Sequence, residues 1–349
     1  MTLSLADGTT VEGSSFGAPV SVSAEVVFNT GMVGYVESLS DPSYAGQILV
    51  LTYPLVGNYG VPSPESFESK KIHAAGLVVA EYVDEYSNHT AVESLSAWLT
   101  REGIPAMSGV DTRALTKILR EHGVMEGRLN HSRAKRENVF STSDNFVAKV
   151  SPEERTVEGE GDVTILAVDC GMKENIVRSL RARGARVIRV PWDYDFSGEA
   201  YDGVLLSNGP GDPMTCAATV ANVRKAFEAD APMLGICLGT QMMALAAGAK
   251  TYKLKYGHRA QNQPCALSGT ERCFITSQNH GYAVDAKTLP KDWEVWFANA
   301  NDGSVEGIRH KTKPFRAVQF HPEAAPGPTD TAWVFDEFLA SVRKRKKAS

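Results

Sequence analysis

Residues 231–250 read APMLGICLGTQMMALAAGAK, and the rest of the chain is organised around them. An apolar run through Met233, Leu234 and Ile236 stops at Cys237, which sits between Gly235 and Gly239, and a helical pattern of Met242, Met243, Leu245 and Ala246 follows at once. This is the layout of a nucleophile elbow, a sharp strand-to-helix turn that lifts one reactive side chain above a sheet and is crowded enough to demand glycines. A thiol at the start of a helix faces unpaired N–H groups and the positive end of the helix dipole, both of which favour thiolate. The N–H of Leu238 then points at any oxyanion formed during attack. A lone cysteine is more often a buried structural residue, so the downstream sequence has to decide.

A chain of 349 residues is long enough for two domains with separate cores. A net charge of −5 argues against a nucleic-acid role, and the basic residues at 345–349 read as a solvated tail. No stretch approaches the ~20 apolar residues of a membrane span. The first 69 residues contain no Lys or Arg, so neither a signal peptide nor an Arg-rich transit peptide is expected. The five cysteines, Cys170, Cys216, Cys237, Cys265 and Cys273, form no CxxC pair, so no metal site is expected. Their odd number suits reduced thiols and a cytoplasmic location.

Residues 1–150 read as a smaller mixed α+β domain. Strand signals include 47–53 (QILVLTY), and one helix should use Val92, Leu95, Trp98 and Leu99 on a single face. A second should start at Asp111 and stop at Gly123. The polar, acidic stretch 151–161 reads as a linker. From residue 162 to 344 the rhythm changes. Strands at 164–168, 186–190, 203–206 and 233–236 alternate with helices at 174–183 and 217–229, the mark of an α/β fold with a mostly parallel sheet covered on both faces. Ligands collect at the carboxyl ends of such strands, where Cys237 stands. Further strands at 273–276, 293–298, 307–310 and 316–320 precede a last helix whose buried stripe is Phe335, Phe338, Leu339 and Val342.

Three more pieces carry chemistry. In Gln319-Phe320-His321-Pro322-Glu323 the imidazole ends a strand, Pro322 favours an extended backbone, and Glu323 falls on the same side as His321. A carboxylate beside an imidazole fixes its tautomer and stabilises the imidazolium, which makes Cys237, His321 and Glu323 a nucleophile, base and orienter. In Ser207-Asn208-Gly209-Pro210-Gly211-Asp212-Pro213, two glycines bracket a proline directly after a strand, a rigid turn whose N–H groups suit the second half of an oxyanion hole. Ser277-Gln278-Asn279-His280-Gly281-Tyr282 offers amide and backbone groups to a bound amino acid. Taken singly, each of these is more often a surface histidine or a structural turn.

In this order, GICLG-Q, NGPGDP, QNHGY and QFHPE resemble the class I (triad) glutamine amidotransferase family. The preceding domain, with EVVFNTGMVGYVESLSDPSYAGQILVLTYPLVGNYG and GVDTRALTKILRE, resembles the glutaminase component of glutamine-hydrolysing carbamoyl-phosphate synthase, closest to its eukaryotic pyrimidine-pathway form. The resemblance implies Cys237 as nucleophile, His321 as base and Glu323 as the orienting acid. It implies glutamine binding by Ser43, Gly209, Gly211, Leu238, Gln241, Asn279, Gly281 and Tyr282, with Gly209 and Leu238 forming the oxyanion hole. It further implies a synthetase partner that takes up the ammonia, as a large subunit or a fused domain, in pyrimidine or arginine biosynthesis. No cofactor is implied for the glutaminase step, with ATP and Mg confined to the partner. Thr240 departs from the family's usual GICLGHQ, which predicts a slower glutaminase. The alternative is a catalytically weakened docking or regulatory unit of the same synthetase. An amidotransferase for another acceptor does not account for the first domain.

Overall fold

The computed structural model describes residues 1–348, and the chain divides into two compact units, Met1–Asp144 and Asn145–Ser349. The first unit is built on Ser21–Asn29, which pairs in parallel with Gln47–Leu51 and antiparallel with Met125–Asn130. Gly76–Val78 and Ala106–Ser108 extend the parallel side. Helix Thr112–His122 starts where its capping residue directs, the Asp111 carboxylate accepting from the Ala114 N–H at 2.8 Å. The helix before it is shorter than its periodicity suggests. Ser94 caps Leu95–Glu102, so Val92 lies outside it, 62% exposed in strand Ala91–Glu93.

The second unit holds a ten-stranded sheet. Its strands are β1 (Thr156–Glu158), β2 (Val163–Asp169), β3 (Ala185–Pro191), β4 (Gly203–Leu206), β5 (Met233–Ile236), β6 (Thr251–Leu267), β7 (Cys273–Val284), β8 (Trp293–Asn299), β9 (Val305–His310) and β10 (Phe315–Val318). Their order across the sheet is β1-β3-β2-β4-β5-β10-β9-β8-β6-β7. The run from β3 to β10 is parallel, with Leu206 opposite Gly235 and Ile236 opposite Val318. The remainder is antiparallel.

Helices α1 (Glu174–Ala182), α2 (Ala217–Glu228), α3 (Leu238–Ala247) and α4 (Trp333–Ala348) cover the sheet. Successive residues of a strand point to opposite faces, so β2 sends Leu166 and Val168 to a core shared with Val220, Val223, Met242 and Met243. Its Ile165 and Ala167 join Ile176, Leu180, Phe335 and Leu339 on the other side. Both faces are apolar, which is why these strands read as continuous hydrophobic runs.

Two readings of the sequence change here, and one strand had no reading at all. The linker reading of 151–161 gives way to a division after Asp144, and Thr156–Glu158 adds an antiparallel edge strand to β3. The tail at 345–349 is, as far as it is described, the last turn of α4, where Lys346 meets Asp202 at 2.9 Å. Strand β6 lacks a sequence signal because its burial follows no period of two and its pairing with β7 is broken by two register shifts. Among the described residues, no helix is long and apolar enough to cross a membrane.

The β5–α3 turn depends on absent side chains. A Cβ on Gly239 would lie 2.3 Å from the Leu206 carbonyl oxygen, and one on Gly235 2.8 Å from the Gly239 carbonyl. Gly239→Ala is therefore expected to cost about 3 kcal/mol or more, because the obstruction is backbone that cannot rotate away. Chemical denaturation of parent and variant checks this, and an unchanged midpoint would contradict the packing of α3 against β4.

Candidate active site

Cys237 is the residue between β5 and α3 and adopts φ 54°, ψ −105°. A non-glycine residue in such a conformation stores about 1–3 kcal/mol and persists when its surroundings over-determine it. Here they do. The Cys237 N–H donates to the Val318 carbonyl at 2.8 Å, the Gly239 N–H to Ser207 O at 3.0 Å, and the Thr240 N–H to Cys237 O at 3.0 Å. The Thr240 hydroxyl, fully buried, donates to the same Val318 carbonyl at 2.6 Å. Thr240 thus fastens the elbow helix to the strand that leads into His321.

Three residues beyond Val318, His321 is also buried, its N–H donating to Ser277 O at 2.9 Å. Its Nδ1 lies 2.6 Å from Glu323 Oε1, and its Nε2 is buried with no hydrogen-bond partner of ordinary geometry among the described residues. Burial by itself lowers an imidazole's pKa, but the Glu323 carboxylate and then the Cys237 thiol outweigh it, so His321 is held above its usual range. Both strands end at one level, so sulfur and imidazole come together across the ends of β5 and β10. The Cys237 thiol also lies 3.6 Å from the Asn279 carbonyl.

Sequence reasoning missed Lys173. Its ammonium is 3.2 Å from Glu323 Oε1 with both side chains buried, and it also donates to the Ala324 carbonyl. Burial pushes the Glu323 carboxyl up, yet the Lys173 charge, followed by that of His321, pulls it down to about 2. The Asp169 carboxylate sets up this lysine at the end of β2 by accepting the N–H groups of Gly171 (2.8 Å) and Met172 (2.7 Å). Asn208 Oδ1 then takes the Lys173 N–H at 3.1 Å. The available signal was a lysine just beyond the carboxyl end of a buried parallel strand, where ligands and catalytic groups gather.

The other named residues fall into three groups. Gly209 abuts the elbow, since a Cβ there would meet the Cys170 carbonyl at 2.1 Å and Leu238 Cδ2 at 2.8 Å. Gly211 is exposed at φ 84°. Asn279, Gly281 and Tyr282 lie on β7, tied to the elbow helix by Gln241, whose Nε2 donates to the Tyr282 carbonyl at 2.9 Å and to Gln319 Oε1 at 3.2 Å. Ser43 belongs to the first unit, buried in the turn Pro42–Tyr44 with its N–H on the Asp41 carboxylate at 2.9 Å. A cysteine, an imidazole and a buried carboxylate in this relation can form a covalent acyl intermediate and move the protons it requires.

Residues 166–341 match the model of "Glutamine amidotransferase class-I", and residues 3–129 that of "Carbamoyl-phosphate synthase small chain, CPSase domain". A multifunctional protein CAD from Squalus acanthias is 53% identical over 99% of this chain and 16% of its own length. A carbamoyl phosphate synthase arginine-specific small chain from Neosartorya fischeri is 49% identical over 99% of this chain and 80% of its own. The chain spans 16–21% of the multifunctional relatives that it matches. Among solved structures, a glutamine amidotransferase from Thermotoga maritima is 22% identical, covers 53% of this chain and 85% of its own, and superposes with a TM-score of 0.39.

Two outcomes follow from this geometry. Glu323→Gln removes the charge that raises His321, so the imidazolium should be lost at lower pH and the alkaline limb of the thiol-alkylation profile at Cys237 should move toward acid. A limb that stays in place would separate Glu323 from His321. Thr240→Val deletes one of two hydrogen bonds to the Val318 carbonyl and leaves the other, so it should cost about 1 kcal/mol in denaturant unfolding.

Proposed function

The chain belongs to the class I glutamine amidotransferase family, with a carbamoyl-phosphate synthase small-chain domain ahead of it, and from that premise we propose that it hydrolyses glutamine and delivers the ammonia to a carbamoyl-phosphate synthetase. The observation that carries the proposal is the convergence of Cys237, His321 and Glu323 at the ends of two adjacent parallel strands.

In this reading the Cys237 sulfur, its proton held on His321, attacks the side-chain carboxamide carbon of glutamine. The negative charge forming on oxygen meets the N–H groups of Leu238 and Gly209. His321 passes its proton to the departing nitrogen, the C–N bond breaks, and ammonia leaves a thioester on Cys237. His321 next takes a proton from water, the hydroxide adds to the thioester carbon, and glutamate departs as the sulfur regains its charge. Glu323 keeps Nδ1 protonated and aims Nε2, while Lys173 keeps Glu323 ionised. The backbone of Gly211, Asn279, Gly281 and Tyr282 binds the amino acid, and Gln241 holds the strand that carries the last three.

No metal or organic cofactor enters these steps. Ammonia released into water at neutral pH would become non-nucleophilic ammonium, so a synthetase partner using ATP and Mg is expected to take it up directly. The relatives support either arrangement of that partner, fused or separate, and either pyrimidine or arginine synthesis. A cytoplasmic setting suits the free thiol.

Glutamate release from the isolated chain tests the reading. The parent should turn over, Cys237→Ala should fall to background, and neither should form carbamoyl phosphate from bicarbonate and ATP. A glutamine-analogue electrophile should add one mass, on Cys237, and spare Cys170, Cys216, Cys265 and Cys273. Absence of glutamate release from the parent would leave the docking-unit reading.

A further inference from the structure

Behind the strand that carries Asn279 and Gly281 lies a second cluster that the hydrolysis does not use. His258 on β6, His280 on β7 and Glu306 on β9 are 8%, 5% and 0% exposed, and one ligand atom from each lies within 4.8 Å of the others. The two rings meet edge to face, with centroids 5.0 Å apart. Asp302, in the turn between β8 and β9, reaches the cluster from a side chain that is 45% exposed.

The hydrogen-bonding capacity of His280 and Glu306 is not met by the protein groups around them. His280 Nδ1 lies 2.9 Å from the Tyr282 carbonyl, which can only accept, so Nδ1 carries the proton and Nε2 keeps a lone pair. That lone pair faces two more oxygens, Gln278 Oε1 at 3.2 Å and Glu306 Oε1 at 3.8 Å. Turning the Gln278 amide over does not cure this cheaply, since its Nε2 is already spent on Cys265 Sγ (3.2 Å) and Thr276 Oγ1 (3.1 Å). Glu306 Oε1 accepts from Asn299 at 3.1 Å, while its Oε2 is buried with no hydrogen-bond partner among the described residues.

We propose that His258, His280 and Glu306 bind a divalent transition-metal ion of the zinc class, through His258 Nδ1, His280 Nε2 and the Glu306 carboxylate. Two imidazoles and one carboxylate are a recognised zinc donor set that leaves a fourth position free, here beside Gln278 Oε1. Metal–ligand bonds of about 2.0–2.1 Å at tetrahedral angles put donor atoms about 3.3 Å apart. His258 Nδ1 and Glu306 Oε1 stand at 3.1 Å. The far nitrogen of His258 lies 2.9 Å from Asp302 Oδ2, the carboxylate that orients a metal-bound imidazole in the usual way. The half-exposed Asp302 also marks the side from which an ion enters. Such an ion ties β6, β7 and β9 together and takes no part in breaking the amide, so this proposal stands whether or not the glutaminase reading does.

The test uses the full chain, stripped with chelator, in a Cys237→Ala/Cys273→Ser background, so that neither the elbow thiol nor the exposed one competes. Titration with Zn(II) by calorimetry and with Co(II) by visible absorption should show one equivalent bound. The Co(II) spectrum should be that of a four-coordinate site without thiolate charge-transfer bands, and the thermal midpoint should rise with metal. His258→Asn and Glu306→Gln should abolish binding, and Asp302→Asn should weaken it about 10- to 100-fold. No binding tighter than millimolar, or binding unchanged by His258→Asn and Glu306→Gln, would overturn the proposal. If circular dichroism shows those two variants unfolded, the surface variant Asp302→Asn decides, and unchanged affinity there overturns it equally.

Discussion

One backbone carbonyl, that of Val318, accepts both the N–H of Cys237 and the hydroxyl of Thr240. Through it the strained elbow is fixed to the strand that leads into His321, so Cys237 and His321 cannot drift independently. The remaining constraints serve this junction. Gly235 and Gly239 let α3 lie against the backbone of β4 and β5, and Gly209 lets the neighbouring turn approach the elbow to van der Waals contact. A strained backbone angle at a reactive residue survives only where such contacts over-determine it.

The charges at the site form a buried chain from the Lys173 ammonium through the Glu323 carboxylate to the His321 imidazole. Desolvation opposes the charged forms of Glu323 and His321, and each is kept ionised by its neighbours. Removing one link leaves the next as an uncompensated buried charge, so Lys173 belongs with Glu323 and His321 as one electrostatic unit. It acts as a positioning residue, holding both the carboxylate and, through the Ala324 carbonyl, the turn that follows it. Asn175, which donates to the Glu323 carbonyl, steadies the same turn.

The elbow was legible because its chemistry is local. A cysteine between two glycines, at the junction of an apolar run and a helical pattern, leaves few alternatives, and His321-Pro322-Glu323 carries the same kind of local restriction. Thr240 was visible as a departure, but its anchoring bond spans 78 residues and was not. Lys173 and Glu323 are likewise joined by packing alone. Strand β6 was missed because polar residues, bulges and two different partners erase its periodicity, and the edge strand Thr156–Glu158 because it is too short and too polar to stand out.

By itself the amino-acid sequence determined the α/β class of the second unit, the position of the elbow, the choice of Cys237, His321 and Glu323 as candidates that belong together, and the family they resemble. These follow from hydrophobic period, glycine placement and short motifs, all properties of neighbouring residues. Tertiary structure alone decided that β5 and β10 are adjacent, which ions neutralise the triad, how Thr240 holds the elbow, and that His258, His280 and Glu306 meet. Each of those depends on which strands pair across long stretches of chain, and pairing is settled by the packing of the whole sheet rather than by any local pattern.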